Sequence, residues 1–288
     1  MKNEKIQIVE CPRDAMQGLK GFIPTEKKAN YINSLIRTGF NIIDFGSFVS
    51  HTLVPQMRDT SQLVSLLDLQ QETSLLSIIL NKKGAVQASQ FEEIKILGYP
   101  LSISEVFQKK NSNMDVKSSL RLIDDLQNIC IKSNKILLIY FSMAFGNPYG
   151  EKWDLSILLS YIDKIQNKGI QMISLADTIG SSTHESIKYI YGNVIEEFSV
   201  LDVGVHLHSN PTDAYKKIDS AWSVGCRRFD VAINGYGGCP FAQNKLVGNI
   251  ATEKMLNFLA DKKIRHSFNL LAFENACNQA KNIFNQAS

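Results

Sequence analysis

The chain has 288 residues, 44% hydrophobic and 20% charged, with a formal net charge of +3. That length can bury a sizeable core, and so small a charge, with no basic arm, excludes the footprint of a nucleic-acid binder. The polar start MKNEKIQIVECPRD carries no apolar signal region, no apolar run could span a bilayer, and five cysteines without paired spacing exclude a disulfide framework. The expectation is a cytoplasmic protein with no membrane and no nucleic-acid partner.

In chain order, IQIVEC reads as a strand and leads into the helical pattern TEKKANYINSLIRTG. NIIDFGS follows as a strand, then a loop and the helix DTSQLVSLLDL. SLLSIIL precedes the helix AVQASQFEEIKIL, and LSISEVF precedes VKSSLRLIDDLQNICIK. KILLIYFS leads to LSILLSYIDKIQNKG, QMISLAD to ESIKYIYGNVIEEF, and VGVHLHS to TDAYKKIDSAWSVG. RRFDVAI closes the series before TEKMLNFLADKK. Helices start after Thr, Asp or Ser and stop at glycines such as Gly39, Gly169 and Gly225.

Strands alternating with helices imply parallel pairing through right-handed crossovers. Eight such units in this length predict a (β/α)8 TIM barrel. The rival doubly wound sheet needs a GxGxxG turn after its first strand, and ECPRDAMQG has none. The reading is one catalytic domain over 1–288: a barrel over about 5–262, then appended C-terminal helices over about 266–286.

Barrel chemistry is built at the C-terminal ends of the strands. Arg13 and Asp14 stand there after the first strand, with Gln17 close behind. A structural ion pair is one reading, and a ligand or substrate contact is the other. Residues two apart on a strand share a face, so His206 and His208 project together. Paired imidazoles suit a transition metal or a mixed nitrogen and oxygen ligand set. Asp44 and Asp177 end two further strands, where each is also a candidate helix cap. Glu253 lies in an acidic first turn. In GYGGCPFAQ, Cys239 sits on a glycine-flanked loop able to carry a thiol to and from a site; the plain alternative is a buried packing residue.

Together these segments carry a resemblance over nearly the whole chain. PRDAMQ, GSFVS…VPQM, SEVFQKKNSN, SLADTIG, HLH, GYGGCPFA and GNIATE resemble the 3-hydroxy-3-methylglutaryl-CoA lyases of the DRE-TIM metallolyase superfamily. The resemblance implies a divalent cation, Mg2+ or Mn2+, held by Asp14, His206, His208 and Asn249. It implies retro-Claisen cleavage of an acyl-CoA substrate to acetyl-CoA and acetoacetate, a reaction at home in leucine degradation and ketone-body formation. Arg13 would stabilise the enolate oxygen, Asp14 or His206 would take the alcohol proton, and Cys239 would protonate the enolate carbon. Gln17, Asp44, Asp177 and Glu253 would support the site, with Lys20 near it. Lys109 and Lys110 would meet CoA phosphates or simply be solvated. A homodimer fits the same resemblance. A lyase for a related 3-hydroxyacyl-CoA is the alternative, as is a condensing acyltransferase joining acetyl-CoA to a 2-oxo acid.

The chain departs from the family pattern at four places. Asp44 replaces a glutamate, Ala15 a glycine, Ser209 an aspartate and Asn147 a cysteine. None removes an expected ligand.

Overall fold

The computed structural model describes residues 6–69, 72–238 and 247–287. Its strands are β1 (Gln7–Glu10), β2 (Ile42–Ser47), β3 (Ser74–Ile78), β4 (Ile94–Ser102), β5 (Ile136–Ser142), β6 (Met172–Ala176), β7 (Asp202–His206), the short β8 (His208–Ser209), β9 (Arg228–Val231) and β10 (Gly248–Asn249). Eight of them close a parallel barrel in the order β1-β2-β3-β4-β5-β6-β7-β9, the TIM barrel expected from the sequence. The seam runs from Gln7 opposite Arg228 to Glu10 opposite Val231. Above the barrel, β8 and β10 form an antiparallel ribbon that sets His208 across from Asn249.

The helices are α1 (Pro12–Gln17), α2 (Thr25–Thr38), α3 (Thr60–Val64), α4 (Lys82–Ser89), α5 (Glu105–Ser112), α6 (Val116–Lys132), α7 (Leu155–Gln166), α8 (His184–Glu197), α9 (Ala214–Ser223), α10 (Thr252–Asp261) and α11 (Leu270–Ala287). Local chemistry sets many of their starts. The side chains of Asn81, Ser104, Asp115, Asp154 and Thr183 each accept a hydrogen bond from a backbone N–H of the first turn. The appended segment is one helix, α11, which packs on α2; Phe40 meets Phe268 at 5.2 Å and Phe273 at 6.4 Å between ring centroids. Among the described residues no helix is long and apolar enough to cross a membrane.

One expected pair of elements is displaced. The fourth strand covers Ile94–Ser102 rather than LSISEVF, and the helix before it ends at Ser89. Gly98 and Pro100 read as chain breakers in sequence, yet β3 makes its last pairing at Ile78 opposite Gly98. Pro100 therefore faces β3 beyond that strand's end, where its missing N–H leaves no ladder bond unmade. The segment SEVF then turns helical because the Ser104 hydroxyl accepts from Phe107 N at 3.1 Å.

Alternation along each strand builds two cores. Ile43, Leu97, Ile139, Ile173 and Val205 pack outward under the helices. Val9, Ile42, Leu76, Ile96 and Leu138 fill the barrel interior. Between β6 and β9 that interior filling turns polar, with Ser174, Arg228 and Asp230 all buried.

Candidate functional site

The mouth of the barrel is built first from residues close in sequence. Only Cys11 separates β1 from α1, so the short helix lies directly across the mouth. Arg13 and Gln17 are one helical turn apart and meet: Arg13 Nη1 donates to Gln17 Oε1 at 2.9 Å. Gln17 Nε2 donates to Asp14 Oδ1 at 2.8 Å. From within β2, Asp44 grips the other edge of the guanidinium, accepting from Nε at 3.0 Å and from Nη2 at 2.5 Å. These contacts engage four of the five guanidinium N–H groups and leave one on Nη2.

Burial and charge compete at both carboxylates. Burial pushes the Asp14 pKa up, but Arg13, His206, His208 and the Asn249 hydrogen bond together hold it below the ordinary value. At Asp44 burial wins over Arg13, and the pKa rises to about 6. Both carboxylates are thus ionised near neutral pH, as the fork geometry with Arg13 requires.

The two histidines come from β7 and the ribbon. Their Nε2 atoms stand 3.2 Å apart. The opposite nitrogens point away: His206 Nδ1 lies 3.1 Å from Asp230 Oδ2, and His208 Nδ1 lies 3.2 Å from the carbonyl of Thr178. A carbonyl or an ionised carboxylate only accepts, so each Nδ1 carries its hydrogen and each Nε2 faces inward, its lone pair available to a cation when the ring is neutral. Two inward imidazole nitrogens and a carboxylate are a donor set that could hold a divalent cation. The ligand atoms of Asp14, His206 and His208 all lie within 4.8 Å of one another.

Asn249 completes this group from β10. Its Nδ2 donates to Asp14 Oδ2 at 2.7 Å and to the Tyr236 carbonyl at 2.8 Å. Both bonds use the amide nitrogen, so Oδ1 is the atom it offers a cation. Gly237 passes so close that a Cβ there would lie 2.7 Å from Asn249 Nδ2 and 3.0 Å from Asp14 Oδ2, at a φ of +98°. Only glycine fits that approach. An open cavity above the group is walled on one side by Arg13, His206, Ser142 and Thr178 and on the other by Val49, Leu53, Ile78 and Phe107.

Residues 5–279 match the HMGL-like family. The chain belongs to the HMGL-like family. It is 32% identical to the mitochondrial hydroxymethylglutaryl-CoA lyase of Bos taurus over 270 residues, covering 93% of this chain and 82% of that one. It is 28% identical to the hydroxymethylglutaryl-CoA lyase of Bacillus subtilis, covering 93% and 89%. In three dimensions it resembles the HMG-CoA lyase of Acinetobacter baumannii solved with coenzyme A and 3-methylmalate. That match has a TM-score of 0.91 and 27% identity and covers 99% of this chain and 93% of that one.

In this HMGL-like chain the residues expected from sequence divide into four groups. Arg13, Asp14, Gln17, Asp44, His206, His208 and Asn249 are brought together as described above. Asp177 and Glu253 stand outside the cavity. Asp177 is buried behind the ribbon, where it receives Ser182 N at 3.1 Å and Lys217 Nζ at 3.0 Å. Glu253 accepts from Asn234 N at 3.0 Å, at the base of the loop after β9. Lys20, Lys109 and Lys110 are exposed, and Lys110 sits over the Tyr149 ring at 4.6 Å. Cys239 lies outside the described residues.

Four supporting groups escaped the sequence reading. Lys217 Nζ ties Asp177 to the His208 carbonyl, the latter at 2.8 Å. The Thr178 carbonyl orients His208, and Asp230 faces His206. Glu10 receives Ile233 N at 2.9 Å and Thr252 Oγ1 at 2.6 Å across the seam. Asp230 had a usable signal: in RRFDVAI it is two residues from Arg228, on the face that points inward.

Proposed function

We propose that this protein is a carbon–carbon lyase that cleaves 3-hydroxy-3-methylglutaryl-CoA to acetyl-CoA and acetoacetate. The observation that carries the reading is the convergence of Asp14, His206 and His208 at the barrel mouth, beside the Arg13 guanidinium. The named relatives and the coenzyme A in the Acinetobacter baumannii lyase support the acyl-CoA class.

Asp14, His206 and His208, with the amide oxygen of Asn249, would hold Mg2+ or Mn2+. Oxygen-rich mixed ligation with open positions suits those ions. When bound, such a cation lowers the pKa of a coordinated alcohol and orients the substrate oxygens.

The chain's own residues supply the rest. Arg13 stays charged, and its remaining Nη2 hydrogen is placed for the thioester oxygen, where negative charge grows as the carbon–carbon bond breaks. Asp44 and Gln17 fix the plane of that guanidinium. Asp14, ionised, accepts the alcohol proton, since His206, the other candidate, carries a hydrogen on Nδ1 and gives its Nε2 lone pair to the cation. Cys239 then protonates the departing carbon, so that the acetyl group leaves as product instead of adding back. Val49, Leu53 and Ile78 give the cavity an apolar lining.

Steady-state assay with 3-hydroxy-3-methylglutaryl-CoA and Mg2+ or Mn2+ tests the reading, and absence of cleavage would overturn it. The Cys239→Ala variant should lose turnover by orders of magnitude with little change in substrate affinity, because the thiol acts after binding. Near wild-type turnover in that variant would assign the thiol to packing.

A further inference from the structure

Beneath the cation-binding group, the wall between β5 and β9 is polar. Asp230 is 3% exposed, Arg228 1% and Ser174 0%. Register sets Tyr140 opposite Ser174, Ser174 opposite Gly204, and His206 opposite Asp230, so these groups form one continuous inward patch. Gly204 is bare because Arg228 lies across it: a Cβ there would sit 2.7 Å from the guanidinium carbon. Tyr140 braces the His206 ring edge-on, with centroids 6.0 Å apart. Asp230 Oδ1, Arg228 Nη1 and the Tyr140 hydroxyl are buried there without hydrogen-bond partners among the described residues, and Cys11, just after β1, approaches the same carboxylate.

We propose that Asp230 is a positioning residue, which locks His206 in the tautomer that presents Nε2 to the cation. This rests on the reading that Asp14, His206 and His208 bind a divalent cation.

The geometry distinguishes this role from a ligand's role. Asp230 meets the ring at Nδ1, 3.1 Å away, on the edge opposite the Nε2 that faces His208. It therefore stands behind His206 and cannot share the cation that Nε2 faces. The two histidines are oriented by different chemistry, His208 by the neutral Thr178 carbonyl and His206 by a buried anion. A charged acceptor makes the stronger hydrogen bond and raises the basicity of the ring it faces. A bare salt bridge to Arg228 does not explain the arrangement, because Arg228 directs Nε at Asp202, 3.2 Å away, and Nη2 at the Ile173 carbonyl. Asp230 spends its Oδ2 on the imidazole.

Two measurements decide the matter. In the cation-free wild type in alkaline buffer, nitrogen-15 NMR of the imidazoles should find His206 protonated at Nδ1 and unprotonated at Nε2. Calorimetric titration with Mn2+ should show Asp230→Ala binding about 10- to 100-fold more weakly than wild type, with Asp230→Asn between them. His206 found with its hydrogen on Nε2, or Asp230→Ala binding Mn2+ within twofold of wild type, overturns the proposal. Should Asp230→Ala fail to fold, the isosteric Asp230→Asn carries the affinity comparison under the same twofold criterion. Wild-type protein that does not bind Mn2+ would instead sink the cation reading, and the NMR result would still decide the tautomer.

Discussion

The two sides of the barrel interior are filled by opposite chemistries. From β1 to β5 the lower interior is aliphatic, with Val9, Ile42, Leu76, Ile96 and Leu138 interlocked. From β6 to β9 Met172 is joined by Ser174, Gly204, Arg228 and Asp230, with the two histidines above. Apolar filling stabilises without regard to direction, whereas polar filling must aim each group and so supports a site. The candidate cation site stands over the second kind of wall, and its stability and its geometry are carried by different residues.

Lys217→Met attacks the polar side most severely. It strips Asp177 of its buried partner and the His208 carbonyl of a donor, and should cost about 3–5 kcal/mol in a denaturant melt. Mn2+ affinity should fall with it; unchanged affinity would show that His208 is held without Lys217. Leu138→Ala is the matched attack on the apolar side and should cost about 2–5 kcal/mol. Here Mn2+ affinity measured below the transition should stay at the wild-type value, and a loss would erase the division of labour. The third effect is set by pH and lies at the seam. Burial raises the Glu10 pKa from 4.5 to about 8, so the folded state binds this proton more tightly than the unfolded chain. Stability should therefore fall as pH rises from about 4.5 to about 8, and Glu10→Gln should flatten that slope. An unaltered slope would clear Glu10 of the effect.

What the sequence disclosed follows the same division. Arg13, Asp14 and Gln17 fall within one and a half helical turns, and His206 and His208 within three residues, so local periodicity was enough to group them. Asp230 lies 24 residues beyond His206, and the Thr178 carbonyl 30 before His208. Such partners are set by barrel closure, which no window of residues contains. Lys217 was hidden differently, since beside Lys216 on an amphipathic helix it reads as a solvated cation, yet it is buried. The misplaced fourth strand has the same root. Pro100 reads as a breaker until the end of β3 is known.

The ribbon of β8 and β10 carries a last consequence. His208 and Asn249 face each other across it as cross-strand partners, and side chains along a strand alternate sides. A one-residue slip of β10 would turn Asn249 outward while His208 stayed in place on β8. The two are therefore coupled by register as well as by space. An insertion anywhere between 238 and 248 is tolerable only if it leaves that register alone, and anyone redesigning the coordination geometry must transplant the pair.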